Sequence, residues 1–278
     1  MRQQPLHVYF GHHKCATQWT ESILRKICSL LTWNYAKINQ IEKPVSNIKK
    51  YITTNAIDFL AYENPTIDVL QKIPSFKGFV TVRDPRDICV SAYFSHVNSH
   101  PVMDCWQQHK KLKEQLGKVS FEEGLLLEMA FPFTKNLFSI MRDWPYELPY
   151  IRTVKMEDLI HDPYQEIIEL FQFLNIADTN TSTHKEFIRA LKKILNISKK
   201  RSKYNTLSIE NLLEIVYQNR FSKLSGGRKR GEEDQFHHYR KGISGDWKNY
   251  FNEVHKKKFK AEFNDVLLAL DYEHDDSW

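Results

Sequence analysis

The stretch LHVYFGHHKCATQW, residues 6–19, decides the fold of this 278-residue chain. Its first half is a short apolar run, typical of a buried strand. After a loop, apolar residues recur on one face of a helical pattern, at Trp19, Ile23, Ile27 and Leu30. The stretch therefore predicts a strand, a loop and a helix in that order, the unit from which parallel α/β sheets are built.

Two further segments repeat this order. A β-rich run ends at Arg83, and Asp84 can cap a helix whose first residue is Pro85. A third strand-like run, 149–154, precedes an amphipathic helix that opens at Asp162. Strands that alternate with helices predict an α/β fold with a central parallel sheet flanked by helices.

Composition fits one domain spanning residues 1–278. The chain is 41% hydrophobic, which supplies a sizeable core, and neither a linker nor a repeat divides it. The formal net charge of +6 suits an anionic partner without selecting one. No apolar run of about 18 residues predicts a spanning helix. The four cysteines form no CxxC pair, the adjacent histidine pairs lack metal-ligand spacing, and no export signal is apparent. We therefore expect a cytoplasmic protein without a metal site.

The rest of the chain is predicted to be largely helical. A capping box at Ser120 and Glu123 begins a helix toward Trp144, which Pro132 should kink or split. A lysine and arginine cluster at 199–203 fits a solvated helix end. Further helical periods cover 182–197, 208–219 and the segment after Phe251.

The first loop has the chemistry of a phosphate site. Ligands of open α/β sheets bind beyond the carboxyl ends of strands, where Lys14 lies. Backbone amides from Ala16 to Trp19 begin a helix and can hold a phosphate, while the Thr17 and Gln18 side chains can donate hydrogen bonds. The loop is not a Walker A sequence, because its lysine precedes the turn.

The second loop, RDPRDICVSAYF, offers a separate anion site. Arg83 ends a strand, and Ser91 follows about two turns into the next helix, so both could reach one phosphate. Arg83 could instead pair with Asp84 or Asp87, and Ser91 could fill a packing position.

A third segment, SGGRKRGEEDQFHHYRKGISGDWKNYF (225–251), concentrates cations and glycines. Arg228–Arg230 and Arg240–Lys241 could close over a polyanion, with glycines allowing close backbone approach. On charge and glycine content alone, a solvated basic loop is equally compatible.

Taken together and in this order, the three segments resemble the sulfotransferase family that uses 3′-phosphoadenosine 5′-phosphosulfate (PAPS). GHHKCATQW is similar to its 5′-phosphosulfate loop, RDPRDICVSAYF to its 3′-phosphate strand and helix, and RKGISGDWKNYF to its C-terminal cofactor loop. The resemblance spans residues 6–251. It implies a P-loop-like nucleotide-binding fold, PAPS as co-substrate, 3′-phosphoadenosine 5′-phosphate (PAP) as product, and no metal.

The resemblance also assigns roles residue by residue. Lys14 would contact the 5′-phosphate and bridging oxygen, Trp19 would stack on adenine, and Phe221 would complete the adenine pocket. The implied cofactor-binding residues are Lys14, Cys15, Ala16, Thr17, Gln18, Trp19, Arg83, Ser91, Phe221, Arg240, Lys241 and Gly242.

Three positions depart from the family pattern. Ala16 stands where glycine is usual, which is tolerable if its φ stays negative. Cys15 stands where serine is frequent; its thiol could have a lowered pKa, or it could be a small structural residue. Met156 replaces a tyrosine, which removes one expected polar contact.

A general base must take the proton of the acceptor. Many relatives use a histidine in the stretch before the 3′-phosphate strand, but residues 58–65 here read DFLAYENP. Other branches use a glutamate, so Glu63 is the predicted base, with Lys14 as the other catalytic residue. His96 and His13 stay open as alternatives. Glu63 could also be an exposed carboxylate before a helix near Pro65.

The resemblance predicts sulfuryl transfer to a hydroxyl or amine of a small-molecule or lipid-like acceptor, without a nucleic-acid partner. Aromatic residues such as Trp106 and Phe133 suggest an aromatic or lipid-like pocket, although they would equally fill a core. A homodimer stays open. Two other classes also stay open: a P-loop-type kinase or nucleotide hydrolase, and a non-catalytic nucleotide-binding or nucleic-acid-binding protein.

Overall fold

The computed structural model describes residues 5–39, 44–103, 106–178 and 206–278. A five-stranded parallel sheet in the order β2-β3-β1-β4-β5 forms its centre, which confirms the predicted α/β class. The strands of this sheet are β1 (Leu6–Gly11), β2 (Tyr35–Asn39), β3 (Phe59–Glu63), β4 (Phe76–Val82) and β5 (Ile151–Lys155). A separate parallel pair joins β6 (Ala177–Asp178) and β7 (Leu207–Ser208).

Helices surround the sheet. They are α1 (Thr17–Leu31), α2 (Ile48–Thr54), α3 (Val69–Lys72), α4 (Pro85–Phe94), α5 (Gln107–Leu116), α6 (Phe121–Ala130), α7 (Pro132–Asp143), α8 (Met156–His161), α9 (Pro163–Phe173), α10 (Ile209–Gln218), α11 (Phe221–Leu224) and α12 (Glu253–Ala269). A π-helical turn, Ser95–Ser99, continues α4, and a 3-10 turn, Asp246–Asn249, precedes α12. Among these described elements, none has the length and apolar character needed to cross a membrane.

Both faces of the sheet are buried. In β1, Val8 and Phe10 pack toward α4, α6, α7 and α12, whereas Tyr9 points to the other face and stacks on Phe79, with 4.7 Å between ring centroids. That second face is covered by α1, α9 and α10. Burial on both sides explains the nearly continuous apolar run of residues 6–10.

The strands β2 and β3 are not predicted by the sequence patterns. β3 reads FLAYE and is buried on both faces, so it lacks the alternation that marks a half-exposed strand. β2 is a short strand at the edge of the sheet. The alternative that Glu63 is exposed is wrong, because Glu63 ends β3 and is only 8% exposed.

Most predicted helix boundaries are confirmed. Asp84 caps α4 by accepting the Arg86 amide, with Pro85 in the first turn, and Asp162 caps α9. Ser120 and Glu123 form the expected capping box. Pro132 does split the predicted helix, into α6 and α7.

One helical prediction is wrong. Leu30 lies on the exposed side of α1 at 54% exposure, and the buried face uses Leu24 and Leu31 beside Ile23 and Ile27. The predicted helix 182–197, the basic cluster 199–203 and Cys105 lie outside the described residues.

Candidate functional site

A cavity of about 980 Å³ opens along the carboxyl edge of the sheet. Each of four strands contributes lining residues where it ends: Lys14 after β1, Asn64 after β3, Arg83 after β4 and Met156 after β5. This is the position at which open α/β sheets bind ligands. The volume lies at the upper end of the usual range for small-molecule sites, roughly 300–1,000 Å³, which leaves room for more than one ligand.

Lys14 is the cation of the first loop, and it lines this cavity in a half-buried position. Arg83 lies next to it, with Nη1 donating to the Lys14 carbonyl oxygen at 3.2 Å. Burial, together with the Arg83 guanidinium, lowers the pKa of Lys14 to about 8. The two positive residues predicted from separate loops are therefore neighbours at the same site.

Ala16 differs from its expected backbone conformation. Its φ is +58°, in the left-handed region, so the condition of a negative φ, under which alanine would be tolerated without strain, is not met. The tight turn into α1 requires this conformation, and Lys14 adopts it as well, at +63°. Left-handed backbone costs a residue with a Cβ roughly 1–2 kcal/mol, so the loop carries strain here.

Replacing Ala16 by Gly is expected to stabilise the protein by up to about 1 kcal/mol, because glycine adopts positive φ without the Cβ penalty. Thermal or urea unfolding measures the change. Ala92 provides the matched control, since it is buried in the regular helix α4. Ala92→Gly should lower the free energy of unfolding. If Ala16→Gly lowers it as well, the conclusion that the positive φ of Ala16 strains the loop is contradicted.

The amino end of α1 faces the cavity. The first amides of a helix have no intrahelical acceptor, so those of Thr17, Gln18 and Trp19 are free to bind an anion. Thr17 has already used its hydroxyl hydrogen, which it donates to the His12 carbonyl oxygen at 2.8 Å.

Cys15 is fully buried and does not line the cavity. Its amide donates to the His12 carbonyl oxygen at 3.2 Å, and burial raises the pKa of its thiol. The hypothesis that the thiol has a lowered pKa is therefore wrong, because burial disfavours the thiolate more than the charges of Arg83 and Lys14 favour it. Cys15 fits the alternative of a small structural residue.

Two aromatic rings, those of Trp19 and Phe221, line the cavity. The Trp19 indole N–H donates to the Asn219 carbonyl oxygen at 2.8 Å, which fixes its orientation. Phe221, two residues later and at the start of α11, also lines the cavity. The predicted adenine residues are thus brought together by α1 and by the turn after α10.

Gly242 lies directly against Phe221. A Cβ at Gly242 would approach Cδ2 of the Phe221 ring to 2.5 Å, and the backbone φ is +68°. Both facts require glycine, because a larger residue would displace the ring and strain the turn.

On the sequence-based prediction that Phe221 borders the adenine of a bound nucleotide, Gly242→Ala is expected to weaken nucleotide binding about 10- to 100-fold, since overpacking of this kind costs about 1–3 kcal/mol. Isothermal titration with PAP measures the loss. Gly226→Ala is the matched control, because Gly226 also has a positive φ, +75°, but a Cβ at that position would meet only open space. Equal losses in both variants would mean that backbone strain, and not the Phe221 contact, is responsible.

The cations Arg240 and Lys241 line the same cavity and share one carboxylate. Lys241 Nζ donates to Asp246 Oδ1 at 2.7 Å, and Arg240 Nη2 donates to Asp246 Oδ2. Arg240 also pairs with Glu233. We name the segment Arg240–Asp246 the clamp. Asp246 is 1% exposed and holds the two cations side by side.

The clamp is attached to α4 by Asp87. Its two carboxylate oxygens accept the Gly245 and Trp247 amides, each at 2.8 Å. Asp87 Oδ2 also lies 3.8 Å from Arg83 Nη2. The Arg83 pairing considered from the sequence is therefore present, but Arg83 still lines the cavity, as does Ser91.

The basic run before the clamp divides into two roles. Arg228 donates to the backbone carbonyl oxygens of Ser225, Glu232, Tyr239 and Arg240. Its guanidinium therefore stabilises the folded loop. Lys229 and Arg230 line the cavity.

Glu63 is buried at the cavity wall. Lys37 Nζ lies 2.7 Å from Glu63 Oε1, and Asn39 Nδ2 donates to Oε2 at 2.7 Å. Burial, and then the neighbouring carboxyl of Glu21, raise the pKa of Glu63 to about 7. A carboxyl with such a pKa can accept a proton near neutral pH.

The two histidine alternatives occupy different depths. His13 lines the cavity, and burial lowers its pKa well below the usual value. His96 stacks behind it, with 5.6 Å between ring centroids, is fully buried and does not line the cavity. Its Nδ1 lies 2.7 Å from Glu128 Oε2, and Glu128 also accepts a hydrogen bond from Thr134 at 2.8 Å.

Sequence reasoning missed Lys37 and Asn39, which also line the cavity. The signal was the alternation in YAKIN (35–39), which places Ala36 and Ile38 in the core and Lys37 and Asn39 on the other side. Arg220 and Tyr164 are further lining residues without a predicted role. Within the described ranges, no group of three or more His, Cys, Asp or Glu side chains is arranged to hold a metal ion.

Several aromatic and imidazole rings also line the cavity. Its lining includes His13, His100, Met103, Trp106, His238 and Tyr239. Burial lowers the pKa of His100, and it lowers that of His238 to about 4, with the Lys14 charge as the next cause. These imidazoles are therefore neutral at physiological pH.

Comparison with known proteins gives a matching family model and a similar fold. A family model described as the sulfotransferase domain matches residues 10–270. A solved structure of mouse sulfotransferase SULT7A1 complexed with PAP has 16% sequence identity and a TM-score of 0.53, covering 96% of this chain and 86% of that chain. At this identity the likeness establishes the fold alone. Comparison with curated proteins found no significant match.

Proposed function

This chain belongs to the sulfotransferase domain family, and on that premise we propose that it moves the sulfuryl group of PAPS to a hydroxyl or amine of a small-molecule or lipid-like acceptor. We propose further that residues 1–278 act as a single sulfotransferase domain. Cytoplasmic location and the absence of a metal requirement stay predictions from the sequence, and a homodimer stays open.

One observation carries the proposal: cations from three separate loops face one cavity. Lys14 lies beside Arg83, beyond the ends of β1 and β4, and Arg240 and Lys241 lie on the clamp. A nucleotide that carries both 5′ and 3′ phosphates needs several cations along one site. Trp19 and Phe221 supply ring faces for the adenine.

PAPS supplies an activated sulfuryl group whose bond to the 5′-phosphate oxygen breaks as the acceptor oxygen or nitrogen bonds to sulfur in line. By analogy with phosphoryl transfer, the protein contributes mainly position and charge. Lys14 stabilises the negative charge that develops on the leaving phosphate. At its pKa of about 8 it carries that charge through most of the neutral range.

The acceptor proton passes to the carboxylate of Glu63. Its Oε1 and Oε2 are held by Lys37 and Asn39, so the carboxylate has a fixed orientation at the cavity wall. The raised pKa, about 7, makes Glu63 a better base than an exposed carboxylate while it stays largely ionised above neutral pH.

The rings that line the cavity favour an uncharged acceptor that itself carries a ring. Trp106 and Tyr239 offer flat faces, while the neutral imidazoles of His13, His100 and His238 offer hydrogen bonds without charge. Lys37 is neutralised by Glu63 and Glu21. An anionic acceptor would therefore find no free positive charge among these residues.

A thermal-shift comparison of PAP with AMP and ATP tests the donor assignment. At 100 times its Kd, PAP should stabilise the protein by about 2.7 kcal/mol, a rise of several degrees in Tm, with smaller shifts for AMP. A larger shift with ATP and Mg²⁺ would favour a kinase or nucleotide hydrolase. Strongly salt-dependent binding of DNA or RNA, without preference for PAP, would favour a nucleic-acid-binding protein.

A further inference from the structure

The segment 271–278, which we name the strap, returns to the start of α4 and encloses Arg86. The Arg86 guanidinium carbon lies 4.0 Å from the Trp247 ring centroid and 4.4 Å from that of Trp278. Arg86 Nη1 donates to Glu273 Oε1 at 2.6 Å, and its other nitrogens donate to Asp84. At 3% exposure, Arg86 is a buried cation held between two indole rings.

Trp278 is fixed independently of Arg86. Its indole N–H donates to Asn264 Oδ1 at 2.8 Å, and its ring meets that of Trp247 edge to face, with 5.5 Å between centroids. Neither Trp278 nor Arg86 lines the cavity. Trp247 therefore provides the contact path from Trp278 to the clamp, while Tyr272 of the strap and Arg86 also reach the Asp84 region, through Glu157 and directly.

Trp247 adjoins the residue that orients the clamp. Its amide and that of Gly245 are held by Asp87, and Asp246, between them, accepts from Lys241 and Arg240. The stack of Trp278 on Arg86 and of Arg86 on Trp247 thus fixes one end of the clamp. Loss of the outer ring removes the packing against Arg86 and the edge-to-face contact with Trp247, while Asp84 and Glu273 still hold the guanidinium.

We propose that Trp278 and Arg86 are positioning residues that set the preference of the site for a 3′-phosphorylated nucleotide. This rests on the proposed function, in which Arg240 and Lys241 bind the 3′-phosphate. The strap acts on these two cations through Trp247, whereas the Trp19 ring is held from a different direction, by Asn219. The strap therefore separates 3′-phosphate recognition from recognition of the rest of the nucleotide.

The test compares Kd for PAP and for AMP, which lacks the 3′-phosphate, in the wild-type protein and in Trp278→Ala by isothermal titration. We expect Kd for PAP to rise about tenfold, equivalent to about 1.4 kcal/mol, while Kd for AMP stays within about twofold. Trp278→Phe, which keeps a ring against Arg86, should recover most of the PAP affinity.

Leu270→Ala is the control for destabilisation, because Leu270 is buried beside the strap but is not one of the two side chains that stack on Arg86. It should lower Tm without changing the ratio of the two Kd values. Equal weakening of PAP and AMP in Trp278→Ala, or an unchanged ratio, overturns the role of the strap. A wild-type protein without preference for PAP overturns the proposed function, and the strap proposal with it.

Discussion

Replacing Glu63 by Gln is expected to lower kcat by about 10²- to 10⁴-fold, the usual contribution of a positioned general base. The amide cannot accept the acceptor proton, while its size preserves the cavity wall. Lys37 keeps a partner in Glu21, at 2.9 Å, so no buried charge is orphaned. PAP affinity should stay within about twofold of the wild type.

Sulfuryl transfer from PAPS, followed with a panel of phenol, alcohol and amine acceptors, measures the loss. Glu166→Gln is a suitable control, because Glu166 also pairs with a cation, Arg152, but lies outside the cavity. Its turnover should be normal. Near-normal turnover in Glu63→Gln would remove Glu63 from the role of base and direct attention to His13, which lines the cavity whereas the other alternative, His96, does not.

Replacing Lys14 by Met is expected to lower kcat/KM by about 10²- to 10³-fold, because one preorganised charge at the developing anion is lost. The same residue should also shape the pH dependence. Since Lys14 must be protonated and Glu63 ionised, wild-type kcat/KM should fall below pH about 7 and above pH about 8.

The two variants separate the limbs of this profile. Lys14→Met should lose the alkaline limb, and Glu63→Gln the acid limb, each in its residual activity. Lys77→Met is the matched control, because Lys77 stacks on Phe173, at 4.4 Å, away from the cavity. An alkaline limb that persists unchanged in Lys14→Met would assign it to another group.

The sequence was sufficient wherever the information is local. Lys14 and Arg83 each follow an apolar run, so their position at the carboxyl ends of strands could be inferred without knowing the order of the strands. Helix caps such as Asp84 and Asp162 likewise depend only on residues within the next few positions of the sequence. The resemblance to sulfotransferases, read from three such motifs, is confirmed by the match of the family model.

What the sequence did not reveal depends on register between distant segments. Glu63 is held in place because β2 pairs with β3 and sets Asn39 opposite it and Lys37 within 2.7 Å. Its pKa is raised by burial and by the Glu21 carboxyl, which the distant helix α1 supplies, against the opposing effect of Lys37. Arg228 looked like a ligand-binding cation, yet the folded loop turns backbone carbonyl oxygens toward it. The positive φ of Ala16 follows from the tight turn into α1, a requirement that residue type alone does not reveal.

The carboxylate of Asp246 has one more consequence, for the kinetics of association. Together with Glu233 it balances the charges of Arg240 and Lys241, so these four side chains together carry little net charge when viewed from bulk solvent. Long-range attraction of an anion requires net charge, and salt screens it beyond about 10 Å at 0.1 M. Arg240 and Lys241 therefore add little to electrostatic steering, and under the proposed function a 3′-phosphate would be recognised at short range, after the nucleotide has entered.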